Sequence, residues 1–169
     1  NSNNTNTCVF EIEVIKLPPT QISCPGDTVL YVDTNCEVIY DFEITSTYAE
    51  DTIRQLQGLP SGSLFPLGTT LQEFEAVDTF NNRSTCTFTV EVIDRIPPVI
   101  VDCPQDILKY GNEDSLTISW IDPTMTDNCA VGNISYSSSP TTGLSNGSNF
   151  PVGITTVTVQ AEDAAGNLT

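Results

Sequence analysis

Apolar and polar residues alternate with a period of two in CVFEIEVI (8–15), CTFTVEVI (86–93), LTISWI (116–121) and TTVTVQAE (155–162). Such alternation, rich in β-branched side chains, predicts strands buried on one face. Between them fall PSGS (60–63), GNED (111–114), TTGLSNGSN (141–149) and AAGN (164–167), where Gly, Asn, Asp and Pro turn the backbone. No stretch carries a helical apolar period. Over residues 17–94 the pattern predicts strands near 20–32, 36–44, 52–57, 62–66, 69–77 and 85–93. Short strands with turn signals about every 8–12 residues indicate an all-β chain of tandem immunoglobulin-like (fibronectin III-like) antiparallel β-sandwiches. Trp120 is expected in a core, and Phe65 and Phe150, in FPLG (65–68) and FPVG (150–153), are expected to plug the ends of their sandwiches.

These elements occur twice. FEIEVIKLPPTQISCPGDT (10–28) returns as VEVIDRIPPVIVDCPQDI (90–107), FPLGTT (65–70) as FPVGITT (150–156), and AVDTFNN (76–82) as AEDAAGN (161–167). The period is about 79 residues, the scale of an array of small domains. By this register residues 1–16 hold the last strand of a preceding repeat, 17–94 form a complete sandwich, and 95–169 form a second sandwich lacking its final strand. With no initiator Met, signal peptide or membrane-length apolar run, the chain is expected to be a window on a longer array.

A unit of this size supports one thin core and leaves no room for a deep enzyme pocket. The chain carries 22 Asp+Glu against 5 Lys+Arg, no His, and a net charge of −17. That balance excludes nucleic acid, whose phosphates require basic surface, and it repels anionic membranes. No nucleophile stands beside a base and no acid–base pair is set up, so the chain is not expected to be an enzyme. Such acidity suits a solvated extracellular surface or one that gathers divalent cations. None of the 6 Cys has C-x-x-C spacing and His is absent, which argues against zinc and for disulfides formed in an oxidising compartment.

Cys-Pro at 24–25 and 103–104, TDNC (126–129), FPVGITT (150–156) and D-x-x-G-N (163–167) follow one another in the order and spacing of the hyalin repeat. Over its whole length the chain resembles that family. The resemblance implies an immunoglobulin-like fold, no catalysis, no required cofactor, and tandem use in extracellular, cell-surface adhesive or stalk proteins. Its partners would be neighbouring repeats of the same polypeptide, or other copies in a filament. In bacteria such arrays occur in the giant surface adhesins of gliding species that use type IX export, and as accessory modules of secreted enzymes. DTV (27–29), DTI (51–53) and DSL (114–116) resemble the O-glycan acceptor of those bacteria, which would place sugar on Thr28, Thr52 and Ser115. The rival eukaryotic set is N-x-S/T at Asn3, Asn82, Asn133, Asn146 and Asn167.

In such a sandwich the first strand leaves, and the last strand starts from, the pole that receives the preceding domain. Cys24 and Cys86 are therefore expected to pair. By repetition Cys8 and Cys103 would pair with residues outside the window. Cys36, at the pole facing the next unit, and Cys129, at the pole facing the previous one, meet at the junction and are expected to form an interdomain disulfide; the alternative is two buried or capped thiols. The same polarity gathers Asp94, Asp127, Asn128 and Asp163 at the head of the second unit. Oxygens from three loops would suit a structural Ca²⁺. The alternative is that Asp127 and Asp163 cap turns. At the head of the first unit Lys16 replaces Asp94, and no cation is expected there.

Three functions fit these features. The first is a non-catalytic stalk stiffened by disulfides. The second is a carbohydrate-binding accessory module using Tyr48, Tyr110, Tyr136 and Phe80. The third is a pilus-like subunit in which strand 7–15 of one copy completes the second unit of another.

Overall fold

The computed structural model describes residues 6–16 and 18–169, and these form strands and loops without a helix. The first unit holds β1 (Ile22–Ser23), β2 (Thr28–Tyr31), β3 (Glu37–Tyr40), β4 (Thr45–Ser46), β5 (Thr52–Gln57), β6 (Ser63–Pro66), β7 (Gly68–Val77) and β8 (Arg83–Ile93). The second holds β9 (Val99–Val101), β10 (Ser115–Thr117), β11 (Thr124–Thr126), β12 (Val131–Ser139), β13 (Asn149–Pro151) and β14 (Thr156–Asp163).

One sheet of the first unit runs β2-β8-β7-β5, with β8 antiparallel to β7 and parallel to β2. The ladders β1-β4 and β3-β6 supply the other layer. Alternation along β8 turns Phe88, Val90 and Val92 inward, where they pack with Phe65, Phe74 and Val32. Phe42 meets the rings of Phe74 and Phe88 edge-on at 5.7 and 5.1 Å, a geometry that suits the aromatic quadrupole. Phe65 and Val90 are wholly buried.

The first predicted strand, 20–32, is broken at Cys24-Pro25-Gly26. Pro25 has no N–H to continue a ladder, so β1 stays with β4 while β2 crosses to β8. The strand predicted at 36–44 shortens to β3. Beyond its end Phe42 bonds through both backbone groups to the Ser61 hydroxyl at 2.8 Å, which replaces a partner strand.

In the second unit the pairs are β12-β14, β9-β11 and β10-β13. The predicted strand 116–121 contracts to β10, because Trp120 gives its N–H to, and takes a bond from, the side-chain amide of Asn146, both at 3.0 Å. Trp120 and Phe150 contact each other edge-on at 5.9 Å but stay half-buried, unlike Phe65. Gly132 sits at a bulge in β12, where a Cβ would fall 2.3 Å from the Glu162 carbonyl.

Cys8–Ile15 alternates as a strand should, yet it is irregular. Val9, Phe10, Ile12, Val14 and Ile15 lie in solvent, 70% exposed or more. Alternation specifies a face, but a strand exists only when paired, and no sheet of the described residues pairs with this one.

Candidate functional site at the interdomain junction

β8 ends at Ile93 and the chain enters the second unit through Asp94-Arg95-Ile96-Pro97-Pro98, in which Asp94 and Pro98 are buried. Cys36, in the β2–β3 turn of the first unit, forms a disulfide with Cys129, in the β11–β12 loop of the second, with Cα atoms 5.1 Å apart. Cys129 also packs against the core of the first unit. Arg95 lies over the Tyr31 ring, 4.0 Å from its centroid, and pins the linker to β2. Such a contact contributes about 0.5–1 kcal/mol at an exposed site.

Carboxylate oxygens of Asp94, Asp127 and Asp163 come within 4.8 Å of one another at the head of the second unit. Asp94 and Asp163 are buried and Asp127 is half-buried. Asp94 Oδ1 accepts from the Ile96 N–H at 3.0 Å and, more weakly, from Asn128 Nδ2 at 3.4 Å. Asp127 Oδ2 caps its turn by accepting from the N–H groups of Cys129 and Ala130 at 2.9 and 3.1 Å. Its Oδ1, like Asn128 Oδ1, is buried without a hydrogen-bond partner. No basic side chain pairs with the three among the described residues. Arg54 and Arg83 both clamp Glu75, and their hydrogen bonds, Arg54's first, hold its carboxyl below the usual range.

Asp163 accepts from the Ala165 and Asn167 N–H groups at 2.8 Å and from Asn167 Nδ2 at 2.7 Å. Asn167 Nδ2 also reaches the Asp94 carbonyl at 3.3 Å, tying this turn to the linker. Asp78 of the first unit repeats the arrangement, accepting from Phe80 N, Asn82 N and Asn82 Nδ2 at 2.8, 2.8 and 2.7 Å. There, however, Thr20 donates its hydroxyl to Asp51, so a hydroxyl faces a carboxylate at that head. Burial pushes Asp163 upward, but the bonds from Asn167 and the turn's N–H groups outweigh it and leave the carboxyl below its ordinary 3.8. A depressed value in the folded state means stability that is complete above pH 3.8 and is lost as pH falls through the folded value. Acid titration followed by Trp120 fluorescence is therefore expected to show a shallower loss of second-unit stability in Asp163→Asn than in the parent. An unchanged acid limb would remove Asp163 as its source.

The other sequence-selected residues are distributed as follows. Cys24 and Cys86 form a disulfide inside the first unit, Cα atoms 5.8 Å apart, whereas Cys8 and Cys103 are free and exposed. Thr52 and Ser115 are exposed, but Thr28 is half-buried with its hydroxyl 3.1 Å from that of Tyr40. Asn82, Asn146 and Asn167 use their amides in structural bonds, Asn133 is exposed, and Asn3 lies outside the described residues. Tyr110 and Phe80 are exposed in different units, while Tyr136 gives its hydroxyl to Asp122 at 2.9 Å. Those aromatics form no common platform. Sequence reading missed Arg95, whose ring contact has no pattern along the chain. It also missed Asn167 as a bridge to the linker, although the D-x-x-G-N spacing carries that signal.

The HYR domain profile matches residues 16–92 and again residues 93–169. The chain belongs to the HYR domain family. Each HYR unit thus contributes one side of the junction. Across 98% of its length the chain is 29% identical to hyalin of Lytechinus variegatus, covering 32% of that protein. It is 34% identical to hyalin of Strongylocentrotus purpuratus over 63% of the chain and 9% of that protein. It is 35% identical to the Mus musculus sushi, von Willebrand factor type A, EGF and pentraxin domain-containing protein 1 over 62% of the chain and 3% of that protein. The chain therefore spans at most 32% of these relatives' lengths.

Proposed function

We propose that this pair of HYR units is a non-catalytic, load-bearing spacer of a long extracellular repeat adhesin or cell-surface filament, its junction fixed by a disulfide and by calcium. The observation that carries the reading is the Cys36–Cys129 bond, which joins the two repeat units covalently where a flexible linker would otherwise suffice. Disulfides fit an extracellular compartment, and the hyalin relatives share the repeat. Calcium is supported by the donor set: three clustered carboxylates without a basic partner among the described residues, and two buried oxygens without hydrogen bonds. Ca²⁺ takes 6–8 oxygens at about 2.3–2.6 Å, so ligands on opposite sides of one ion stand about 5 Å apart. Asp94, Asp127, Asn128 and Asp163 would hold it, and its charge would relieve their repulsion. The net charge of −17, with glycans on exposed Thr52 and Ser115, would keep neighbouring rods apart.

Small-angle scattering tests the reading. The parent chain in Ca²⁺ is expected to scatter as one extended rigid body, and Cys36→Ser in a chelator as two units bending about the linker, with each single perturbation between them. Calorimetry should find Ca²⁺ binding that weakens about tenfold or more in Asp127→Asn. Identical scattering in all four states would overturn the rigid-junction reading.

A further inference from the structure

The β11–β12 loop carries sulfur and carboxylate side by side, since Asp127 and Asn128 directly precede Cys129, the partner of Cys36. Asp127 Oδ2 takes the N–H of Cys129 at 2.9 Å, and Asn128 Nδ2 stands 3.2 Å from the Cys129 sulfur. The Asn128 carbonyl oxygen lies 3.3 Å from the sulfur of Cys36. The bond between the units and two of the proposed oxygen donors therefore share one short turn. Cys36 is itself fixed in the first unit, where its carbonyl accepts from the Leu67 N–H at 3.2 Å.

Asp94 is held to the same part of the first unit by another route. The residues on either side of it are anchored at the end of β2: the Val32 N–H bonds to the Ile93 carbonyl at 3.1 Å, and Arg95 lies over Tyr31. β2 runs on into the turn that carries Cys36. Linker, β2, Cys36, Cys129 and Asp127 thus close a ring, in which the disulfide sets how far Asp127 and Asn128 stand from Asp94. Apart from that bond, the hydrogen bond from the loop to Asp94 is a long one, Asn128 Nδ2 to Oδ1 at 3.4 Å. Asp163, by contrast, is tied to the Asp94 carbonyl through Asn167, without help from sulfur. Three carboxylates within 4.8 Å repel one another unless a cation stands among them. Disulfide and cation therefore favour the same place for the loop, and loss of either leaves the other working against repulsion or slack.

We propose that the Cys36–Cys129 bond and the calcium site are energetically coupled, which makes the junction a redox-controlled cation site. With the bond formed it binds Ca²⁺ tightly; reduction frees the β11–β12 loop from the first unit and weakens Ca²⁺ binding about tenfold. The inference rests on the calcium reading above and adds the regulation of that site. Linkage makes the effect mutual: saturating Ca²⁺ must shift the exchange of this disulfide with glutathione toward the disulfide by the same factor, about 30 mV for a tenfold change. In the reducing direction the Cys36–Cys129 bond breaks, two glutathione thiols become one molecule of oxidised glutathione, and their two protons pass to the cysteine sulfurs.

The test equilibrates the 169-residue chain in glutathione redox buffers, with saturating Ca²⁺ and with a chelator, and reads each disulfide separately by differential thiol alkylation and mass spectrometry. Calorimetry measures Ca²⁺ affinity for the parent and for Cys36→Ser. The expected result is an exchange constant for Cys36–Cys129 about tenfold further toward the disulfide in Ca²⁺, no shift at Cys24–Cys86, and Ca²⁺ bound about tenfold more weakly by Cys36→Ser. Asp127→Asn should still form the disulfide and lose most of its Ca²⁺ shift. The exchange measurement needs only the parent, so it decides even where Cys36→Ser does not fold. An exchange constant that Ca²⁺ does not move, an equal shift at Cys24–Cys86, or equal Ca²⁺ affinity with and without the bond would each overturn the coupling and leave the calcium site standing. Absence of Ca²⁺ binding by the oxidised parent would overturn the calcium reading and the coupling with it.

Discussion

Replacing Cys86 with serine is expected to lower the unfolding free energy of the first unit by about 4 kcal/mol, the chain-entropy value for a loop closed across this separation. The bond spans 62 residues and joins the end of β1 to the first part of β8. The core it supports is small: six buried side chains form its cluster. An effect of this size is a large part of the total stability of a small domain. Urea unfolding followed by circular dichroism measures it. Cys24→Ser and the double variant should match Cys86→Ser, since all three remove one bond. A loss under about 1 kcal/mol would show that the bond does not restrict the unfolded chain as the loop model requires.

Phe65→Ala is expected to cost the first unit about 3–5 kcal/mol, whereas Phe150→Ala, at the repeated position, should cost the second roughly half as much. Phe65 is wholly buried and meets Tyr40 edge-on at 6.0 Å, so truncation leaves a cavity that the two sheets cannot close. Phe150 is half-buried, so water already reaches part of the ring. Trp120 is the lone tryptophan and sits in the second unit, so its fluorescence separates the two transitions. Equal losses at Phe65 and Phe150 would mean that partial exposure does not lower the cost of truncating Phe150.

Much of the fold can be read from alternation and from the repeat. β7, β8 and β14 lie where period-two patterning puts them, because long strands with one buried face carry that signal over many residues. Short pieces carry less. The division of 20–32 into β1 and β2 turns on Pro25, and the parallel pairing of β2 with β8 is a long-range choice without a local signature. Residues 8–15 show the limit most plainly: their pattern is that of β8, but their partner decides whether they are a strand. At the junction, strand polarity is enough to bring Asp94, Asp127 and Asp163 to one end. The unpartnered oxygens of Asp127 and Asn128, and the seat of Arg95 on Tyr31, depend on side-chain packing that no spacing encodes.

The position of Cys24–Cys86 also sets how far the pair of HYR units can be drawn out. Tension entering the first unit at Thr20 passes four residues along the backbone, crosses the disulfide into β8, and leaves through Ile93. The backbone between the two cysteines lies off that path. Extended, it would add about 200 Å to the molecule, at roughly 3.4 Å per residue. A pulled segment therefore reaches nearly its full length while the core is still folded, and even complete unfolding of the first sandwich would release almost no slack until the disulfide is reduced.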